Sequence, residues 1–384
     1  MKEKKTVGII TIHGIDNFGS LLQAYATQEI ISQLGYMSEI IDYKYPNAYH
    51  LEKAKQKSPY AEPILTFTQR VQQHFYHKYC SKKVNLEKHK LYDAERDRLL
   101  RLSQNYKSKE ELFESPPPYD IYVTGSDQVW NPRYLYEDTS FLLSFTKSKN
   151  KVAFSSSFGS TEIDSTHQAI MRPLLKEYKA ISTREGSGVA LVNEISGKDA
   201  ICTCDPTLLL SGKAWGEVFD DEPIIKGDYI LCYILTYTAN PYPYAYNFVK
   251  HIQKSLGIKV VFIDEGGLYW CDPRHKSFQI YGPRQIINLF KNASFVISSS
   301  FHGAAFSINF KKDFYSIFPK EVKDERQESL LKIVGAEDRL IRVGDSFPEK
   351  NTITINNWDS IETRLKEYVD KSLLYLEESL AICQ

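Results

Sequence analysis

Apolar positions along the chain follow two alternating rhythms. Residues 7–12 (VGIITI) are a short β-rich run, followed by a polar loop over 13–17. Leu21, Leu22, Tyr25, Ile30, Ile31 and Leu34 then recur at helical spacing, which predicts a helix closed by Gly35. Residues 39–43 (EIIDY) read as the next strand, so the chain opens on a β-α-β unit and a parallel sheet is expected. Residues 46–115 break the rhythm. They are rich in Lys, Gln, His and Tyr and read as a mostly helical insertion, stopped by Pro116-Pro117-Pro118. Strands are predicted over 119–123, 152–155 and 180–183, with helices over 167–179 and from Gly186 to Val192. Residues 200–205 lead into Asp205-Pro206-Thr207, the expected end of a first domain.

The second half repeats the plan. Strands are predicted over 229–235 (YILCYIL), 259–264 (KVVFID), 295–298 and 314–318, and helices over 247–256, 283–292 and 304–310. A long helix over 358–380 ends the chain. The pattern predicts an α/β protein of two doubly wound halves: a first domain over 1–205, a second over 206–350, and a terminal helix over 351–384. In such sheets ligands sit beyond the carboxyl ends of the strands, so polar motifs there are the first candidates for function.

The 384 residues suit two domains, and 42% hydrophobic with 25% charged residues is a globular composition. The 48 basic and 48 acidic side chains cancel, which argues against a nucleic-acid partner. Cys202 and Cys204 are close, but no second Cys/His pair at ligand spacing joins them, so no metal is expected. Six scattered cysteines suit a reducing compartment, and no run approaches the ~20 apolar residues of a spanning helix. A cytoplasmic location is expected, compatible with peripheral contact at the inner face of a membrane.

Five strand-end motifs carry candidate chemistry. His13-Gly14-Ile15-Asp16-Asn17-Phe18-Gly19-Ser20 resembles a phosphate loop in its Gly14 and Gly19, but Ser20 stands where that loop needs Lys. It is either a helix N-terminus that contacts an anion or sugar, or a turn capped by a Ser20-x-x-Gln23 box. Ser126, Asp127, Gln128, Trp130 and Asn131 cluster after the third strand, where an indole beside amides and a carboxylate suits a sugar ring; a locally bonded turn is the plainer alternative. Arg184 ends another strand beside Glu185 and offers a fork for carboxylate or phosphate, or else a surface ion pair. Ser299, Ser300, His302 and Gly303 follow residues 295–298, bringing hydroxyls and an imidazole to a strand-to-helix turn. Arg326 is a possible second cation for an anionic ligand, or a solvated helix charge.

Taken in order, the chain resembles the polysaccharide pyruvyl transferase family over roughly residues 7–335. The resemblance rests on Asn17-Phe18-Gly19-Ser20-Leu21-Leu22-Gln23-Ala24-Tyr25, Thr124-Gly125-Ser126-Asp127-Gln128-Val129-Trp130-Asn131, Ser182-Thr183-Arg184-Glu185, Asp205-Pro206-Thr207 and Ser300-Phe301-His302-Gly303. It implies two Rossmann-like domains facing a cleft, as in B-type glycosyltransferases, with a terminal helix crossing back. The implied reaction moves the enolpyruvyl carbon of phosphoenolpyruvate, a co-substrate rather than a cofactor, onto two hydroxyls of a lipid-linked or polymeric sugar during surface or capsular polysaccharide synthesis. His302 matches the family's active-site His and Arg184 its donor-binding Arg; Asp127 completes the candidate catalytic set. Characterised branches tend to carry Arg-Leu-His where this chain has Ser300-Phe301-His302, so one cation is missing, and Arg326 or Lys320 is the candidate replacement. That departure keeps a nucleotide-sugar glycosyltransferase as the alternative. A non-catalytic glycan-binding partner, docking through the 46–115 insertion, is a third.

Overall fold

A computed structural model describes residues 4–56, 81–235, 243–263, 281–320 and 325–383. The first sheet has six parallel strands: β1 (Thr6–Ile10), β2 (Met37–Ile40), β3 (Ile121–Thr124), β4 (Lys151–Ser156), β5 (Ala180–Thr183) and β6 (Ile201–Cys202), in the order β2-β1-β3-β4-β5-β6. The second has five: β7 (Tyr229–Tyr233), β8 (Lys259–Ile263), β9 (Phe295–Ser298), β10 (Asp313–Phe318) and β11 (Leu340–Arg342), in the order β11-β10-β9-β7-β8. Every pairing within them is parallel. Helices cover both faces of a parallel sheet, so its central strands are buried on both sides. That is why β7 reads as an uninterrupted YILCY and is buried throughout.

Strand order reverses between β1 and β3 in the first sheet and between β7 and β9 in the second. A doubly wound sheet opens a crevice beyond its strand ends at such a switch point. Helix α1 (Phe18–Gln33) leaves the first switch point. Its N-cap is Asn17, whose side chain accepts from Gly19 N at 2.9 Å and Ser20 N at 3.2 Å, so the Ser20-x-x-Gln23 box does not form the cap.

The insertion contains α2 (Ala48–Gln56), α3 (Ser81–Leu99) and α4 (Lys109–Glu114); residues 57–80 of that reading lie outside the described residues. The expected strand over 39–43 pairs two residues earlier, and Asp264 of the expected 259–264 strand is not described. Strand β11 was not anticipated: it is a half-exposed three-residue edge without a periodic signal. The last helix, Trp358–Ala381, returns to the first sheet. There Ser372 Oγ accepts from Cys204 N at 2.9 Å and Tyr375 Oη donates to Ala153 O at 3.0 Å. Among the described residues, no helix is long and apolar enough to cross a membrane, and no three His, Cys, Asp or Glu side chains form a metal site. Burial pushes the Cys204 thiol up to about 12, so it stays protonated.

Helix α3 also braces the second half. Arg284 donates from Nε to Glu95 at 2.8 Å and from Nη1 to Asp221 at 3.1 Å, while Glu95 accepts from Arg98 at 2.7 Å. The Arg98 and Arg284 guanidiniums lie 5.0 and 5.7 Å from the Phe219 ring centre. Because the network is partly solvated, Arg284→Ala should cost only about 1 kcal/mol. A double-mutant cycle with Glu95→Gln checks it; strictly additive losses would show that the pair is not coupled.

Candidate active site

The strand ends at the two switch points face one another across a cleft of about 280 Å³. From the first half, Asn17 and Ser20 follow β1, and Asp127 and Gln128 follow β3. From the second, Leu235 follows β7, Ser299 to His302 follow β9, and Phe318 ends β10. Tyr45 and Tyr134 add aromatic surface on the first-half side, and Arg326 and Gln327 come from the start of the helix Arg326–Val334.

Beside this cleft lies a buried charge cluster. Arg184, one residue past β5, is 2% exposed. Its Nη1 donates to Asp205 Oδ2 at 2.6 Å, and its Nη2 lies 3.7 Å from Asp127 Oδ1. The guanidinium carbon sits 4.5 Å from the centre of the Phe301 ring, a cation–π contact. Two of its nitrogens, Nε and Nη2, have no hydrogen-bond partner among the described residues. An unmade hydrogen bond at a buried charged group is costly, so Nε and Nη2 retain unused hydrogen-bonding capacity, although Arg184 itself does not line the cleft. His302 stands on the other side of the same carboxylate, with Nε2 3.5 Å from Asp205 Oδ2, and that nitrogen is also without a hydrogen bond among the described residues.

Asp205 is fully buried. Burial works against its charge, but the neighbouring His302 and Arg184 outweigh it and hold the carboxyl well below the usual carboxylate range. Its Oδ1 accepts from Thr207 N at 3.0 Å and Thr207 Oγ1 at 2.7 Å, and its Oδ2 also accepts from Ser126 Oγ at 3.2 Å.

Asp127 adopts φ = +73°, a left-handed conformation uncommon for a residue with a side chain. Ser157 N and Val129 N hold its carbonyl at 2.9 and 2.8 Å, while Ser20 Oγ donates to its Oδ2 at 2.5 Å. Strained backbone of this kind concentrates at functional sites. Gly19 belongs to the same design. A Cβ there would lie 2.0 Å from His302 Nδ1, so α1 approaches the imidazole only because residue 19 has no side chain.

Other candidates from the sequence sit behind the cleft rather than on it. Trp130 is fully buried between Phe158 and Tyr178 and donates Nε1 to Phe141 O at 3.3 Å, so it offers no face to a sugar. Gln23 is also fully buried, its amide nitrogen donating to Thr11 Oγ1, Ile12 O and Ser20 O; it shapes the β1–α1 turn. Asn131 caps the short helix Pro132–Leu135 and steadies Gln128, donating to its Oε1 at 2.7 Å. Glu185 gathers the loop after β4 through Ser157 Oγ, Phe158 N and Gly159 N. Gly303 lets its helix pack on Ser298, which a Cβ would meet at 2.0 Å. Lys320 pairs with Asp345 at 2.9 Å and does not line the cleft, whereas Arg326 does.

The sequence profile of the polysaccharide pyruvyl transferase family matches residues 17–317. The chain belongs to this family. A search of curated protein sequences gives no match. Among solved structures, the pyruvyl transferase family member is similar to Arabidopsis thaliana UGT89C1 complexed with UDP-L-rhamnose, at 12% identity, covering 99% of this chain and 100% of that one, with a TM-score of 0.51. It also matches S. aureus MnaA with UDP at 11% identity, over 98% of this chain and 91% of that one, with a TM-score of 0.47. The first likeness is one of fold, and it agrees with the two facing parallel sheets of the B-type architecture.

Within this pyruvyl transferase family member, the Asp205-Pro206-Thr207 motif was visible in the sequence, but nothing local assigned Asp205 to the site. Its partners Arg184, Ser126 and His302 are 21, 79 and 97 positions away. Gln327 was also missed. It donates to Ser299 O at 3.0 Å and accepts from Ser316 Oγ, tying the strand end that carries His302 to the helix that carries Arg326.

Proposed function

We propose that the protein forms a pyruvyl ketal on a sugar, using phosphoenolpyruvate as donor. The observation that carries the reading is the buried Arg184 fork, whose Nε and Nη2 make no hydrogen bond among the described residues, beside a His302 Nε2 that makes none among them either. A planar fork matches a carboxylate, the group that distinguishes this donor from a simple phosphate ester. Arg326 stands at the cleft wall and supplies the second cation, in place of the one missing at Ser300. Ser300 gives its helix no side-chain cap, which leaves the first-turn N–H groups for phosphate oxygens.

The reaction adds a proton to the methylene carbon of the donor and makes the adjacent carbon electrophilic. One sugar oxygen adds there, phosphate leaves with the electrons of its C–O bond, and the second sugar oxygen closes the ketal. Of the two hydroxyl protons, one is balanced by the new methyl group and one by the departing phosphate. In this reading His302 transfers the proton at the donor and Asp127 accepts one from the sugar. The acceptor is a lipid-linked or polymeric sugar met at the cytoplasmic face of a membrane, with no resident cofactor.

Incubation with phosphoenolpyruvate and a panel of acceptors, followed by phosphate release and ketal mass gain, tests the reading. Turnover is expected in the wild type and lost in His302→Ala. Full activity of that variant would reject the site. Ser300 in place of a cation also supports a second reading, a nucleotide-sugar glycosyltransferase. Thermal stabilisation by nucleotide sugars without response to phosphoenolpyruvate would favour it.

A further inference from the structure

We propose that Asp205 is the positioning residue of this site: its Oδ2 sets the Arg184 guanidinium and the His302 imidazole at fixed places relative to each other, so that Arg184 Nε and Nη2 and His302 Nε2 are held in one constant arrangement. The proposal rests on the donor site described above. Three geometric facts carry it. Oδ2 is 2.6 Å from Arg184 Nη1 and 3.5 Å from His302 Nε2, so both groups are referred to a single atom. The carboxylate is itself immobile, because Thr207 holds Oδ1 twice and Ser126 supplies a third donor at Oδ2. Phe301, next to His302 in sequence, stacks on Arg184, so the second half of the molecule contributes to holding a cation of the first. Asp205 follows β6, and its Pro206–Leu208 turn packs on both α1 and the helix Phe301–Asn309. The carboxylate thus joins the two switch points and reports their separation to both functional groups. Facing it are Arg184 from the end of β5, His302 from Phe301–Asn309 and, across Arg184, Asp127 from the end of β3.

Asp205→Asn replaces an acceptor with an amide that presents N–H groups to two other donors. The expected result is a loss of about 100-fold in kcat/KM for phosphoenolpyruvate, as for displaced catalytic groups, with the acceptor KM unchanged. Thr207→Val removes one of the two bonds that hold the far oxygen, so it should lower Tm and reduce kcat/KM for phosphoenolpyruvate by less than Asp205→Asn does. A second readout needs no substrate. In protein carrying isotopically labelled arginine, the Arg184 Nη resonances, assigned by their loss in Arg184→Lys, are expected to be resolved and slowly rotating in the wild type and averaged in Asp205→Asn. If the wild type turns over no phosphoenolpyruvate, the functional reading falls, while the arginine spectra still decide the role of Asp205. Unchanged Arg184 signals, or an acceptor KM that rises with the donor KM, overturns the proposal. Should Asp205→Asn not fold, Asp205→Glu keeps the charge and moves the oxygen by one methylene. An unaltered donor KM in that variant overturns the proposal equally.

Discussion

Arg184→Ala is expected to lose stability and donor binding together. The side chain is 2% exposed and compensates a fully buried carboxylate at 2.6 Å. Removing one member of such a pair leaves the other charge in a poor solvent and typically costs ~3–5 kcal/mol. Donor turnover should fall by roughly 1,000-fold, the scale of a lost oxyanion-type donor. The stability loss carries a pH signature. The folded protein holds Asp205 below its ordinary value of 3.8, so its contribution is fully present above that pH and fades as pH drops toward the lower folded value. Without the guanidinium, the depression weakens and the buried carboxyl protonates more readily. The gap between wild type and variant should therefore be widest near neutral pH and narrow in acid. Urea unfolding at several pH values measures it. A pH-independent gap would show that lost packing on Phe301, rather than the Asp205 charge, sets the cost. Arg184→Lys should recover part of the stability but little of the donor affinity, because an ammonium restores charge without the fork.

The parts of the molecule that depend on periodicity were legible in the sequence. The helices ended by Gly35 and Gly257, the uninterrupted β7 run and the Phe295–Ser298 strand come from local patterns that tertiary packing then reinforces. The meeting of strand-end motifs at one cleft followed, because a doubly wound sheet gathers its strand ends on one side; Asn17, Asp127 and His302 line it together for that reason. What was not legible depended on direction and depth. Composition made Trp130 a sugar platform, yet its indole fills the space between Phe158 and Tyr178. Spacing offered Ser20 as the cap of α1, but Asn17 takes that role and frees the hydroxyl for Asp127. Arg326 and Lys320 were equivalent as charges, and only the fold puts one at the cleft and the other against Asp345. Asp205 illustrates the same limit: a carboxylate that joins two domains has no neighbour in sequence to announce it.

Gly19→Ala separates the geometry of His302 from its chemistry. Alanine in place of glycine inside a helix ordinarily stabilises it by roughly 0.5–1 kcal/mol. Here the new Cβ would stand 2.0 Å from Nδ1, 2.3 Å from Cγ and 2.6 Å from Cε1 of the imidazole. A five-membered ring has no flexible end to fold away. Either His302 moves off Asp205 or the first turn of α1 retreats, taking Ser20 from Asp127. Overpacking of this kind costs ~1–3 kcal/mol, which reverses the sign of the helix effect. The variant should melt below the wild type and turn over about 100-fold more slowly, since small displacements of a reacting group have that scale. Phosphoenolpyruvate affinity, measured by calorimetry, should stay within several-fold because Arg184 lies on another element. Gly14→Ala is the matched control. Its Cβ would meet only Tyr45 O at 3.6 Å, an ordinary contact, and it should melt and turn over like the wild type. A Gly19→Ala protein that is fully active and more stable would mean that the imidazole does not rest against α1. The two switch points would then not be closed on each other as the Asp205 contacts require.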